Sequence, residues 1–264
     1  MILSNSYTKS EVLNKLSTYF KDNNCKNLYK DSCINYTGQT KDTKEYYSQV
    51  IIDYLVENIE EFKRQFENII ITREKNYKTF THNGLSNFDF EKQISGERRE
   101  EKIAHAMYCQ YKDKPAVFGK ILDYQVPLKN HATDFGIGKI DLLSYKPYKI
   151  DNSERIKLYI LELKKDKSKE SLLRCILEAY TYYKIVDRKK ICADFSQDFD
   201  NCDFVIAPLV YKSDDFINQL NFVKPLINIL DIPVELFTWE YISGEYKIEV
   251  HQSSKLYDGL IEIK

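Results

Sequence analysis

Glycine is scarce, with eight in 264 residues, and it falls in no nucleotide-cradling pattern. There is no P-loop, and Gly136 and Gly138 lack the third glycine and following helix of a dinucleotide fingerprint. The six cysteines, at 25, 33, 109, 175, 192 and 202, form no CxxC pair, and no histidine stands at zinc-ligand spacing from them. They read as reduced thiols rather than a disulfide framework or zinc site. Cys109 and Cys175 are expected buried on helices, while Cys192 and Cys202 flank a loop across which they can approach. No apolar run reaches bilayer length, and the first ten residues lack the basic and apolar regions of a signal peptide. A cytoplasmic location without membrane association is therefore expected. The net charge of -1 argues against a protein that coats nucleic acid.

Hydrophobic periodicity supplies the elements. Ser10–Phe20 and Tyr46–Phe66 have helical stripes, with a polar stretch of no regular pattern between them. Ile69–Thr72 reads as a short strand and Asn76–Asn87 as a loop. Ser95–Gln110 reads as a helix with a Ser start and an acidic first turn. Strands follow at Val117–Val126, Ile140–Tyr145 and Leu158–Lys164, then a helix over Lys169–Val186 and a continuously apolar strand, Phe204–Tyr211. A helix over Asp214–Leu230 and strands at Val234–Tyr241 and Tyr246–His251, turning at Ser243 and Gly244, complete the chain. The expected class is α/β with a mixed central sheet. Residues 1–90 form a helical N-terminal extension and 91–264 the main domain.

Chemistry concentrates in two of the strands. Glu162 and Lys164, alternating with Leu161 and Leu163, share a strand face with Leu158 and Ile160. Asp141 shares a face with Lys139 and Leu143, and antiparallel pairing across the polar link from Lys146 to Ser153 can bring it beside Glu162. Two carboxylates suit a hard divalent cation, and an ammonium beside them suits the phosphate or water that the cation activates. Salt bridges at strand ends would use the same residues.

The order helix, three strands, helix, strand, with Asp141 on the second strand and Glu162-x-Lys164 on the third, resembles the PD-(D/E)XK nuclease superfamily, the restriction-endonuclease-like fold. The resemblance spans about Ser95 to Tyr211, with Ile140 where the family name has proline. It implies a nuclease, with DNA favoured over RNA as substrate, in which Asp141, Glu162 and the Leu163 carbonyl bind Mg²⁺ or Mn²⁺. Lys164 would assist the attacking water or steady the phosphorane. Members often add a carboxylate from the first helix; Glu100 continues the stripe of Ile103, Ala104 and Met107 and is chosen over Glu97 and Glu101. Relatives also carry a polar residue and a tyrosine on the next helix that contact nucleic acid, which here are Arg174 and Tyr182. Arg174 equally suits a pairing with Glu178 one turn on, and the tyrosines Tyr180, Tyr182 and Tyr183 suit packing.

From Lys139 to Lys190 there are fourteen Lys and Arg against eight Asp and Glu, so a basic zone including Lys165 and Lys167 surrounds the motif. Such a zone fits local grip on a polyanion. His105 lies on a helix that can approach the motif, and His131 and Asp134 precede the second strand. A homodimer is common in the superfamily when both strands of a duplex are cut. The alternative function is a nucleic-acid- or partner-binding module that keeps the fold without turnover.

Overall fold

The computed structural model describes residues 7–36, 38–79, 99–130, 138–150, 153–253 and 261–262. His82, Glu97, His131, Asp134 and Gly136, and the Ser95 start of the third predicted helix, lie outside the described residues.

Six strands lie side by side in chain order: β1 (Lys120–Pro127), β2 (Lys139–Ile150), β3 (Ser153–Lys164), β4 (Cys202–Tyr211), β5 (Glu235–Ile242) and β6 (Glu245–Ser253). β1 to β3 form an antiparallel meander, β3, β4 and β5 are parallel, and β6 returns antiparallel, so the sheet is mixed and open. A two-residue strand, β7 (Ile261–Glu262), pairs with Tyr148 and Lys149 of β2. The β3-to-β4 crossover carries helices α5 (Leu172–Ile185) and α6 (Arg188–Asp194), and the β4-to-β5 crossover carries α7 (Asp214–Ile227).

Each face of the sheet has its own core. Tyr159, Leu161 and Leu163 of β3 point into a cluster with Ile103, Ala104 and Met107 of helix α4 (Arg99–Tyr111). Leu158 and Ile160 point the other way, into a cluster with Leu173, Ile176 and Tyr180 of α5. This alternation is what a period-two strand buried on both faces requires. The second cluster continues without a break into Val12 and Leu16 of α1 (Lys9–Lys21), Ile51 and Leu55 of α2 (Tyr47–Glu57) and Phe62 of α3 (Ile59–Arg64). The N-terminal helices thus complete the core on the α5 face.

Several boundaries differ from the sequence expectation. β2 and β3 run on through the supposed polar link, pairing from Leu142↔Leu161 to Ile150↔Ser153. Cross-strand charge pairing such as Lys149 with Glu154, and the anchoring of Tyr148 and Arg155 on Asp203, hold this polar arm in register. The helix expected over 46–66 breaks at Asn58, whose side-chain amide bonds the Tyr54 carbonyl. The patternless stretch contains two 3₁₀ turns, Cys25–Lys30 and Ser32–Asn35, that bury Leu28, Tyr29 and Ile34. The strand at 69–72 reduces to one bridge, Ile71↔Val186. Cys175 is buried but Cys109 only half-buried, packed against the outside of the core on the α4 face. Pro208 lies inside central β4 and offers no N–H, so the β4–β5 ladder is interrupted between the bridge Ile206↔Val234 and the pairing that starts at Leu209↔Phe237.

Among the described residues, no helix is long and apolar enough to cross a membrane.

Candidate functional site

The site forms where the β2–β3 ladder ends. The register Leu142↔Leu161, extended by one residue, sets Asp141 opposite Glu162. There the aspartate side chain replaces a main-chain partner: Asp141 Oδ2 accepts the Leu163 N–H at 2.9 Å. Strand geometry turns the Leu163 carbonyl to the same edge as its N–H. Asp141 Oδ1 accepts from the side-chain amide of Gln125 at 2.7 Å.

Gln125 has no counterpart in the sequence expectation. It lies on β1 between the pairs Tyr124↔Leu142 and Val126↔Ile140, hence across from Asp141. Its φ of 50° is in the left-handed region, costly for a non-glycine residue, and a register shift between Ile121 and Asp123 precedes it. The bulge and this strained residue re-aim the β1 edge at the aspartate, a placement seen mainly at functional sites.

Glu162 and Lys164 face α5, as their alternation with the core residues of β3 dictates. Both are nearly fully buried, and their side chains pair at 2.6 Å. Lys164 Nζ also lies 2.8 Å from Glu170 and 3.4 Å from Glu178. Glu178 projects from α5 and accepts the Tyr182 hydroxyl at 2.8 Å. Tyr182, expected at the nucleic-acid surface, is instead 3% exposed, because it lies one turn after Glu178 on the inward face. It holds the carboxylate that holds the lysine. Gly138 closes over this pair: a Cβ there would meet the Tyr182 hydroxyl oxygen at 1.9 Å. Arg174 does meet Glu178, at 3.8 Å, and more closely Glu170, at 3.2 Å.

Glu100 reaches the end of β3 from α4, accepting the Lys165 N–H at 3.2 Å. Lys165 and Lys167 lie in the turn that leaves β3, Lys167 exposed and with φ 56°. The basic surplus counted in the sequence does not translate into one open surface. Lys157 is in a buried pair with Glu235 at 2.7 Å, Lys184 pairs with Asp231 and Lys190 with Asp194. His105 stacks on Tyr124 at 4.9 Å, and Tyr124 belongs to the core on the opposite face of the sheet from Glu162 and Lys164.

Electrostatics mark the site as crowded with negative charge. Burial, only partly offset by the Lys164 charge and the Leu163 N–H, raises the Asp141 carboxyl to about 6. Burial and the neighbouring Asp141 charge raise Glu162 well above the ordinary carboxyl range. Burial opposes the charge on Lys164, but Glu162 and Glu178 outweigh it and hold the ammonium above its usual value. Burial also keeps the Cys175 thiol, which donates to the Glu162 carbonyl, protonated. Among the described residues, no three His, Cys, Asp or Glu side chains converge at metal-holding spacing. Glu100 is close enough for its charge to act on Asp141, but it does not complete a three-carboxylate set.

The chain matches no protein-family model, no curated protein and no solved structure.

Proposed function

We propose that this chain is a divalent-metal-dependent nuclease with a restriction-endonuclease-like core, hydrolysing phosphodiester bonds, with DNA the favoured substrate. One observation carries the reading: Asp141 and Glu162 are opposed at the end of β2–β3, with Lys164 on the same strand and face as Glu162. The element order α4, β1, β2, β3, α5, β4 supports it, since the crossover helix brings Glu178 over Lys164.

The donors present fit a hard cation. Asp141, Glu162 and the Leu163 carbonyl are oxygen ligands of the kind Mg²⁺ or Mn²⁺ takes. Burial and the neighbouring Asp141 charge both raise Glu162, a strain that a cation between the two carboxyls would relieve. A divalent ion held there would supply Lewis-acid stabilisation of the phosphoryl oxygens and a more acidic water. The protein's own residues do the rest. Gln125 and the Leu163 N–H fix the Asp141 rotamer. The Glu178–Tyr182 pair fixes the Lys164 ammonium, whose charge would oppose that developing on phosphorus. Arg174, Lys165 and Lys167, around the mouth, would meet flanking phosphates.

A second reading, a nucleic-acid- or partner-binding module without turnover, is favoured by one observation: Glu162 is buried against Lys164, and both Asp141 oxygens are already hydrogen-bonded. Incubation of supercoiled plasmid, linear duplex, single-stranded DNA and RNA with Mg²⁺ or Mn²⁺ separates the two. The nuclease reading expects cleavage by the parent and none by Glu162→Gln or Lys164→Ala. Nucleic-acid binding without cleavage of any substrate, and without a saturable divalent-ion site that depends on Asp141, would favour the module.

A further inference from the structure

Lys164 is surrounded by three carboxylates of unequal standing. Glu162 comes from the last pleat of β3 and Glu178 from α5, and their side chains are 5% and 11% exposed. Glu170 comes from the connecting segment between β3 and α5 and is 28% exposed. Its two oxygens are divided between two cations: Oε2 lies 2.8 Å from Lys164 Nζ, and Oε1 lies 3.2 Å from an Arg174 guanidinium nitrogen. Yet Glu170 Oε2 and Arg174 Nε, both buried atoms, make no hydrogen bond of good geometry among the described residues. Two oxygens sharing one negative charge, set between a lysine and an arginine, describe a phosphodiester as well as a carboxylate.

We propose that Glu170 occupies the seat of the substrate phosphodiester in the free protein, as an internal competitor that must swing out before nucleic acid binds. The inference rests on the nuclease reading for the identity of the ligand, but not on turnover. The exchange conserves charge, since one monoanion replaces another between Lys164 and Arg174. Of the three carboxylates on Lys164, Glu170 alone projects from neither a strand nor a helix, and its side chain is the most exposed of the three. The segment itself stays tethered, because Ser171 caps α5 and bonds Ile34 and Asn35.

The test is equilibrium binding, by fluorescence anisotropy, of short labelled single-stranded and duplex DNA to the parent, Glu170→Gln and Glu170→Ala in EDTA. Both variants are expected to bind at least one probe about tenfold more tightly, and the gain should vanish when Arg174→Gln is added. Thermal unfolding checks that each variant is folded, and the two substitutions guard against a peculiarity of either. Equal or weaker binding by folded Glu170 variants overturns the proposal, as does a gain that survives Arg174→Gln or no binding of either probe by any variant. Cleavage by the parent, and its dependence on Glu162, reports separately on the nuclease reading.

Discussion

Lys164 shows at the scale of single residues how a buried charge is kept: its ammonium is tolerated because Glu162 and Glu178 face it, and they are tolerated because it faces them. Removing one partner strands the others. Lys164→Ala is therefore expected to cost stability, about 3–5 kcal/mol, as well as activity, which makes Glu162→Gln the cleaner catalytic probe. Asp141 makes a different prediction. Its folded-state value of about 6 lies above the ordinary 3.8, so the folded chain holds the proton more tightly than the unfolded chain. Stability in EDTA should therefore fall as pH rises from about 4 to about 6, on account of this group, and Asp141→Asn should flatten that slope and raise the melting temperature at pH 7. Saturating Mg²⁺ should reverse the parent's loss at pH 7 and leave Asp141→Asn unmoved; a melting curve across pH, with and without metal, reads all three.

At the scale of elements, α5 carries Arg174, Glu178 and Tyr182 of the site and is itself positioned by small devices. Ser171 accepts the Arg174 N–H and donates to the Ile34 carbonyl, tying the helix start to the N-terminal region. Ser171→Ala should cost about 1 kcal/mol, measured by urea unfolding. At the other end of the same contact, Gly138 at the entry to β2 leaves room for the Tyr182 hydroxyl. Gly138→Ala should displace that hydroxyl from Glu178, destabilise by about 1–3 kcal/mol, and slow cleavage more than Ser171→Ala does for the same loss of stability. Equal activity losses at matched stability would mean that Tyr182 has no part in holding the site.

For the whole molecule, the N-terminal helices and the sheet share one core. Phe62 of α3 stacks on Tyr180 of α5 with ring centroids 5.5 Å apart, and both are buried. Phe62→Ala should cost about 3–5 kcal/mol and lower a single unfolding transition, because the region before residue 70 has no separate core to melt alone. Two transitions in calorimetry, with only the lower one shifted, would instead show an independently folded extension.

Strand alternation alone put Glu162 and Lys164 on one face and Asp141 within reach, because a period of two leaves little choice once Leu161 and Leu163 are core. Helical spacing likewise put Glu100 on the side of α4 that reaches the end of β3, since the stripe of Ile103, Ala104 and Met107 fixes which side of α4 meets the sheet. Other parts depended on tertiary context. The polar arm of β2 and β3 is held by cross-strand pairs and by Asp203, far off in sequence, so its composition read as a link. Gln125 reaches Asp141 only through a bulge and a left-handed residue, neither of which leaves a pattern in a short apolar run. Tyr182 and Glu170 share one reason: whether a side chain on a helix or loop faces solvent, substrate or a buried lysine is decided by what packs above it. The sequence by itself determined the carriers of charge and their strand faces, because those follow from local stereochemistry. Only the tertiary structure decided which charges neutralise one another, because that depends on distances set by elements remote in the chain.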